Sequence, residues 1–426
     1  MAELVVGIDV GTTKIATLVG EVRGDEVNVV GVGVEPSRGI KRGVVNDLKA
    51  ATAAIAASVK KAEKSAGCEI GRAFVSVAGS HIASMNSRGV VGVGGGSRPV
   101  TQEDLERALE AARAITIPHN REVLHVLPRH YTLDGQSGVR NPTGMHGFRL
   151  EVETHIITGA RTSVTNLEKC VEAAGVFVDR FILNPLAAGD VVLTETEREI
   201  GAVVVDIGGG TTDLAIFIEG AVWHTAVLSV GGEHITTDIA HGLRLPFDLA
   251  ESVKLQHGHA DPRRVDPLSG FPVQPFGEEV PSQVARTDLA MIIEARSEEI
   301  LSLVLQEVKR SGYDGLLPAG VVLTGGSSNL PGIRDVASRL LQMPVRLARP
   351  ERVTGMADAV RSPAFSTAVG LLTVGLALSE EERRDMRRGR GRPRRHRTEN
   401  GARGLGLGRV VSGFVRRFLP EQEDIE

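Results

Sequence analysis

Asp9 and Asp206 occupy the same place in two copies of one pattern. The first copy reads Val5-Val6-Gly7-Ile8-Asp9-Val10-Gly11-Thr12-Thr13-Lys14-Ile15-Ala16, and the second Val204-Val205-Asp206-Ile207-Gly208-Gly209-Gly210-Thr211-Thr212-Asp213-Leu214-Ala215. In each, an apolar run carries an Asp, turns through Gly and Thr, and resumes as a second apolar run. Glycines let such a turn tighten and approach a ligand, threonines add hydroxyls, and successive turn amides form a concave anion site. A carboxylate beside that site repels phosphate unless a divalent cation lies between them, and Mg²⁺ keeps several waters while meeting few carboxylates. Asp9 and Asp206 therefore point to Mg-nucleotide, the metal being reached through water. Two unrelated hairpins would also show Gly turns; a repeated unit predicts two related domains with one triphosphate clamped between their turns.

A third stretch, Val321-Val322-Leu323-Thr324-Gly325-Gly326-Ser327-Ser328-Asn329-Leu330-Pro331-Gly332, reads as a buried strand, a Gly turn and a helix opening near Pro331. Gly325 and Gly326 let backbone come close to a base or a phosphate, and the helix start adds donors. Gly231-Gly232 precedes a long helical stretch in which Glu251 and Lys254 lie three apart on one face. That pair can reach ribose and base, or it is a plain exposed ion pair.

These turns need cores to hold them. A chain of 426 residues exceeds one ordinary core and should divide. With 42% hydrophobic and 3% aromatic residues, the cores must be Val, Ile, Leu and Ala. Cys68 and Cys170 give neither a disulfide framework nor a zinc spacing, which suits a reducing cytosol. No leader is read before Val5 and no apolar run is long enough to span a bilayer, so a cytosolic protein is expected unless something anchors it. Hydrophobic spacing predicts helices over Asp47–Ala66, Thr101–Ile115 and Thr162–Ala174, with an apolar helix beginning at Ser366-Thr367-Ala368. No G-x-x-x-x-G-K-S/T loop is present, and Gly89 to Gly96 and Gly404 to Gly408 lack the setting of a dinucleotide fingerprint. His119, His125, His130, His146 and His155 show no ligand spacing and are read as surface or packing residues.

The composition changes at Ser379. From there on 13 Arg/Lys stand against 9 Asp/Glu, a net of +4, leaving −4 − 4 = −8 on the body. Arg383 to Arg397 is nearly all Arg, Gly and Pro, a composition that cannot bury a core. Beyond it Leu407, Val410, Val411, Phe414 and Phe418 fall on one face of a helical wheel, Arg409, Ser412 and Arg416 lie largely away from it, Arg417 adds a further cation and Pro420 is the stop. Such a helix binds an anionic membrane weakly alone and firmly when many copies act together. A partner-protein helix and plain disorder are the alternatives, and the Arg tract has no aromatics for stacking nucleic acid.

The order Asp-x-Gly-Thr-Thr-Lys, Asp-Ile-Gly-Gly-Gly-Thr-Thr-Asp, Gly-Gly-Glu and Leu-Thr-Gly-Gly resembles the actin, sugar-kinase and Hsp70 ATPase superfamily. Segments outside those motifs narrow the resemblance to the FtsA family of bacterial cell-division proteins: Pro36 to Lys41, Ala78 to Ile82, Arg121 to Val126, Gly144-Met145 with Arg149 to Val152, and His224 to Ala226. It covers about residues 4 to 376 and resumes at the extreme C-terminus.

The resemblance implies an α/β fold of two actin-like (RNase H-like) domains around a nucleotide cleft, with an inserted 1C subdomain and a disordered basic tether ending in an amphipathic helix. Its divisions would be domain 1A over 1–82 and 161–198 with a return helix at 366–378, 1C over 83–160, 2A over 199–225 and 318–365, 2B over 226–317, a linker over 379–403 and the membrane helix over 404–420. It implies ATP and Mg²⁺ as cofactors. Gly11, Thr12, Thr13, Lys14, Gly208, Gly209, Gly210, Thr211 and Thr212 would lie on phosphates, Asp9 and Asp206 around the metal, and Gly231, Gly232, Glu251, Lys254, Gly325, Gly326 and Ser327 towards the rest of the nucleotide.

Asn184, near where relatives can carry a water-positioning Glu or Gln, has no basic group, which leaves Asp206 to orient water and implies slow turnover. The protein would be a scaffold before it is an enzyme. Implied partners are the C-terminal peptide of the tubulin-like GTPase FtsZ on 2B, further copies of the chain, later division proteins on 1C and anionic lipid, without nucleic acid. The implied place is the cytoplasmic face of the cell membrane at the septum. A pilus-assembly actin homologue and a small-molecule kinase of the superfamily are the competing readings.

Overall fold

A computed structural model describes residues 4–23, 26–94, 98–351 and 353–389. Strands β1 (Leu4–Val10), β2 (Lys14–Arg23) and β3 (Glu26–Pro36) form an antiparallel meander. A small hairpin, β4 (Ile40–Lys41) and β5 (Val44–Val45), and helix α1 (Leu48–Ala66) lead to β6 (Arg72–Val77), which joins β1 in parallel. The chain then builds a separate four-stranded sheet from β7 (Ala83–Gly92), helix α2 (Gln102–Arg113), β8 (Arg121–Leu133), β9 (Gln136–Val139) and β10 (Arg149–Ala160), in the order β7-β10-β8-β9. Helix α3 (Arg161–Ala173) returns it to the first sheet as β11 (Phe177–Leu183), parallel to β6.

After α4 (Asn184–Val192) and α5 (Glu195–Ile200) the plan repeats. Strands β12 (Ala202–Ile207), β13 (Thr212–Ile218) and β14 (Ala221–Leu228) make a second meander. A long crossover holds α6 (Gly232–Leu243), α7 (Phe247–His257), the hairpin β15 (Gly270–Val273) and β16 (Ser282–Ala285), and α8 (Arg286–Ser311). It ends in β17 (Gly320–Thr324), parallel to β12; α9 (Ile333–Leu341) and β18 (Val345–Leu347) follow. The orders β3-β2-β1-β6-β11 and β14-β13-β12-β17-β18 are the same topology. The repeated motif is thus a repeated fold. The chain closes through β19 (Val353–Gly355), which pairs with β3, α10 (Ala357–Val360) and α11 (Ser366–Gly389).

Local chemistry explains the elements. The Asp47 carboxylate caps the α1 amides of Lys49 and Ala50, and α1 ends on left-handed Gly67. Its buried Ala51, Ala54, Ile55, Val59 and Ala62 recur at helical spacing and pack on Ile8, Ile15 and Val75 of the sheet. Every residue of β12 and β13 is buried, as expected of strands covered on both faces. Between the two sheets lie α4 and α11: one core joins Leu18 and Phe74 from the first sheet, Leu186, Ala187, Val369 and Leu372 from the helices, and Val204 and Phe217 from the second. The four-stranded sheet has its own core beneath α2. It abuts β14, where Arg129 stacks on Trp223 at 4.1 Å and His155 Nε2 meets Thr225 Oγ1 at 2.9 Å.

The helix expected near Pro331 is α9, which begins at Ile333 behind left-handed Gly332 after a 3-10 turn over Gly326–Asn329. Ser328 Oγ closes that turn on the Gly325 carbonyl at 2.7 Å, so the glycines bend the chain before a helix can start. The apolar helix outruns its expected end at 378, continuing to Gly389, because the Glu- and Arg-rich stretch after Ser379 consists of strong helix formers. The expected membrane helix over 404–420 lies outside the described residues.

Candidate functional site

The first turn joins β1 to β2 and is closed by the Gly11 amide donating to the Lys14 carbonyl at 3.1 Å. Asp9, on the last turn of β1, is buried; Ser76 Oγ of β6 donates to its Oδ1 at 2.9 Å. The second turn joins β12 to β13 and is closed likewise, Gly208 N to Thr211 O at 2.9 Å. Asp206 is buried, pairs in register with Asp213 across the hairpin, and accepts from Thr367 Oγ1 of α11 at 2.9 Å. The two turns touch. A Cβ at Gly209 would collide with Thr13 Oγ1, and one at Gly210 would come within 2.5 Å of Thr12 Oγ1, so only glycine admits this approach.

The other predicted groups close around the second turn. Gly232 and Glu233, at the start of α6, donate their amides to the Gly208 and Gly209 carbonyls at 2.9 and 2.8 Å. Ser327 Oγ donates to the Gly208 carbonyl at 3.0 Å. Gly325 stands at φ +88°, where a Cβ would strike Asp206 Oδ1 and the Ile207 backbone. Lys254 Nζ donates to the Gly232 carbonyl at 3.2 Å, to Thr236 Oγ1 at 2.8 Å and to Glu251 Oε2 at 2.6 Å. Glu251 and Lys254 are therefore a half-buried pair tied to the Gly231-Gly232 corner, and the structure gathers all the predicted cleft residues around one crevice.

Electrostatics make the crevice short of positive charge. Burial raises the Asp9 carboxyl, with Lys14 opposing. Burial pushes Asp206 up to about 6, Thr367 opposing and the charge of Asp9 adding to it. Asp213 is raised well above the carboxylate range by burial and by Asp206. Burial holds Lys14 down to about 8, with Asp9 and Asp206 opposing. Asp9 and Asp206 thus face one lysine, with Asp213 buried beside Asp206. Two buried oxygens also lack partners, Asp213 Oδ1 and Asn184 Oδ1, the latter at the carboxyl end of β11. An oxygen-rich, negative set with orphaned acceptors fits a hard divalent cation or water on it. Among the described residues no three carboxylate, imidazole or thiol groups converge closely enough to ligate an ion directly.

Sequence reasoning missed two residues. Asp213 is visible as the last residue of the Asp-Ile-Gly-Gly-Gly-Thr-Thr-Asp motif, but the pattern assigns it no role. Phe365 has no local signal, yet its ring lies 3.2 Å from Lys14 Nζ.

Comparison with known proteins follows the same lines. The family profile described as cell division protein FtsA matches residues 203–370, and that of the SHS2 domain inserted in FtsA matches 79–158. Cell division protein FtsA of Pseudomonas aeruginosa is 46% identical over 375 residues, 88% of this chain and 89% of its own length. Its counterpart in Escherichia coli K12 is 39% identical over 381 residues, 88% and 90% of the two chains. Among solved structures, a PilM–PilN type IV pilus biogenesis complex aligns with TM-score 0.63 at 18% identity, over 87% of this chain and 98% of that one. MreB5 of Spiroplasma citri bound to AMPPNP aligns with TM-score 0.54 at 15% identity, over 91% and 99%. At such identities the structures establish a shared actin-like fold.

Proposed function

The chain belongs to the FtsA family of cell-division proteins, and from that premise we propose that it binds Mg-ATP between its lobes, polymerises, and ties the FtsZ ring to the membrane. The nucleotide half of this reading is carried by one observation: two equivalent Gly/Thr turns interlock across a crevice that holds Asp9, Asp206 and Lys14. Gly11, Thr12, Thr13 and Gly208 to Thr212 offer amides and hydroxyls to phosphates. Asp9 and Asp206 would hold a divalent cation through water, with Asp213 paired to Asp206 across the hairpin. Glu251, Lys254 and Gly325 to Ser327 bound the nucleoside end. When bound, Mg²⁺ supplies the positive charge that lets carboxylates and phosphates share the crevice. Asp206 orients the attacking water, and with Asn184 unable to take its proton, turnover is slow.

The remaining assignments rest on the family. FtsZ's C-terminal peptide docks on residues 226–317, later division proteins on 83–160, and further copies of the chain join end to end. Among the described residues no helix is long and apolar enough to cross a membrane. Attachment at the cytoplasmic face of the septal membrane therefore falls to Leu407, Val410, Val411, Phe414 and Phe418, with Arg409, Arg416 and Arg417 towards anionic headgroups. Kinship to a pilus protein at 18% identity is one of fold, whereas 46% identity to FtsA carries the division reading.

Sedimentation of the full-length chain with anionic vesicles tests this, with and without Mg-ATP, beside a Phe414→Asp/Phe418→Asp variant. Mg-ATP should increase pelleting and the variant should stay in solution. Equal pelleting of both proteins, or none of either, defeats the membrane part.

A further inference from the structure

Lys14 is the cation of the first turn, and its ammonium lies over the face of Phe365, 3.2 Å from the ring centroid. A cation so placed is held by the ring quadrupole. Phe365 is half-buried against the core between the lobes and immediately precedes α11. Its two successors hold the other parts of the crevice. Ser366 Oγ lies 2.7 Å from Thr324 Oγ1 at the end of β17, and Thr367 Oγ1 donates to Asp206 Oδ2 at 2.9 Å. Three consecutive residues thus touch the first turn, the third element and the second turn.

An ammonium seated on a ring directs N–H bonds into the π face, and those bonds are lost to an oxyanion. We infer that Phe365 is a positioning residue that parks Lys14 while phosphate is absent, and that phosphate entering the Gly11–Thr13 turn draws Lys14 off the ring. The inference rests on the nucleotide site proposed above. The ring suits the task because it satisfies a buried ammonium without adding negative charge to a crevice that already holds Asp9, Asp206 and Asp213. Burial that holds the Lys14 pKa down to about 8 agrees with an ammonium that has lost water. The release is read where α11 starts, since Phe365 is bonded to the residues that grip Thr324 and Asp206.

The test uses the full-length chain with ¹³C-labelled lysine, followed by NMR with and without Mg-ADP or Mg-ATP, in the wild type, Phe365→Tyr and Phe365→Leu. The chain has few lysines, and a Lys14→Arg variant assigns the Lys14 signal. Without nucleotide, the Lys14 ε-methylene protons should be shifted upfield by the ring in the wild type and the Tyr variant, but not in the Leu variant. Mg-nucleotide should remove that shift. Calorimetry should find the Leu variant binding nucleotide about 2- to 10-fold more tightly, the ring no longer competing, with the Tyr variant near wild type. Binding with Lys14 still upfield overturns the inference alone. So does a Leu variant that binds several-fold more weakly, because the ring would then belong to the binding surface. Failure of the wild type to bind Mg-nucleotide overturns the nucleotide reading and this inference with it.

Discussion

At the scale of single residues, the buried groups set the response to pH. His125 of β8 accepts the Leu183 amide on Nε2 at 3.1 Å, pinning the root of the four-stranded sheet to the end of β11. Burial holds its pKa down to about 3, with Arg180 adding to the effect. Unfolded, the same imidazole titrates near 6.5, so between about 6.5 and 3 the unfolded chain binds more protons. Stability is therefore lost as pH falls through that window and is fully present above it. His125→Gln keeps an acceptor without a titrating ring. Its denaturant midpoint should fall less steeply than wild type between pH 6.5 and 4, the two curves diverging by up to about 3 kcal/mol. Parallel curves would mean that His125 takes up a proton in the folded protein without cost. Asp206→Asn should abolish stabilisation by Mg-ATP, while leaving unfolding in its absence at least as late as wild type, since it removes a charge that burial disfavours. Thermal melts with and without Mg-ATP measure both effects.

At the scale of elements, close packing of α11 on α4 is the tightest constraint. A Cβ on Gly370 would collide with the Ala187 carbonyl, and Gly375 meets the Phe74 ring in the same way. Gly370→Val should destabilise by about 2–3 kcal/mol, read as a lower denaturant midpoint, because neither helix can retreat from a core shared by both sheets. Most of the elements were legible beforehand, for identifiable reasons. The Asp-turn-strand units announced themselves because the chemistry needs Gly and Thr at fixed offsets, and α1 because Asp47 and an apolar stripe mark it. The 3-10 turn before α9 is not legible, because Pro331 marks only the helix that follows it. The expected end of α11 falls short because the change in charge at Ser379 reads as the end of structure, although charged residues sustain a helix well. The contact of Phe365 with Lys14 joins positions that only the fold brings together, and no periodicity encodes it.

At the scale of the whole molecule, the two lobes are held by one continuous core through α4 and α11, and the two Gly/Thr turns meet between them. A ligand that bridges the crevice should stabilise both lobes at once. With Mg-ATP at about a hundred times its dissociation constant, the folded state gains about 2.7 kcal/mol. The main calorimetric transition should then move up as a unit rather than split, and two separate shifts would show that the lobes unfold independently. The four-stranded sheet has its own core beneath α2, while Leu127 of β8 and Ile157 of β10 join the core between the lobes and Arg129 stacks on Trp223 of the second lobe.

That sheet leaves the body at Ala83 and returns at Ala160, whose amide donates to the His81 carbonyl at 3.2 Å. The two connections emerge side by side, so the module is grafted onto the chain rather than woven through it. Replacing it with a short linker closes a gap one hydrogen bond wide, and loop-closure entropy grows only with the logarithm of what is spliced in. Descent can thus trade one accessory domain for another at this socket without redrawing the crevice. The new tenant must meet the demands of the old: cover Trp223 and Thr225 on the flank of β14 and fill the places of Leu127 and Ile157 in the core between the lobes.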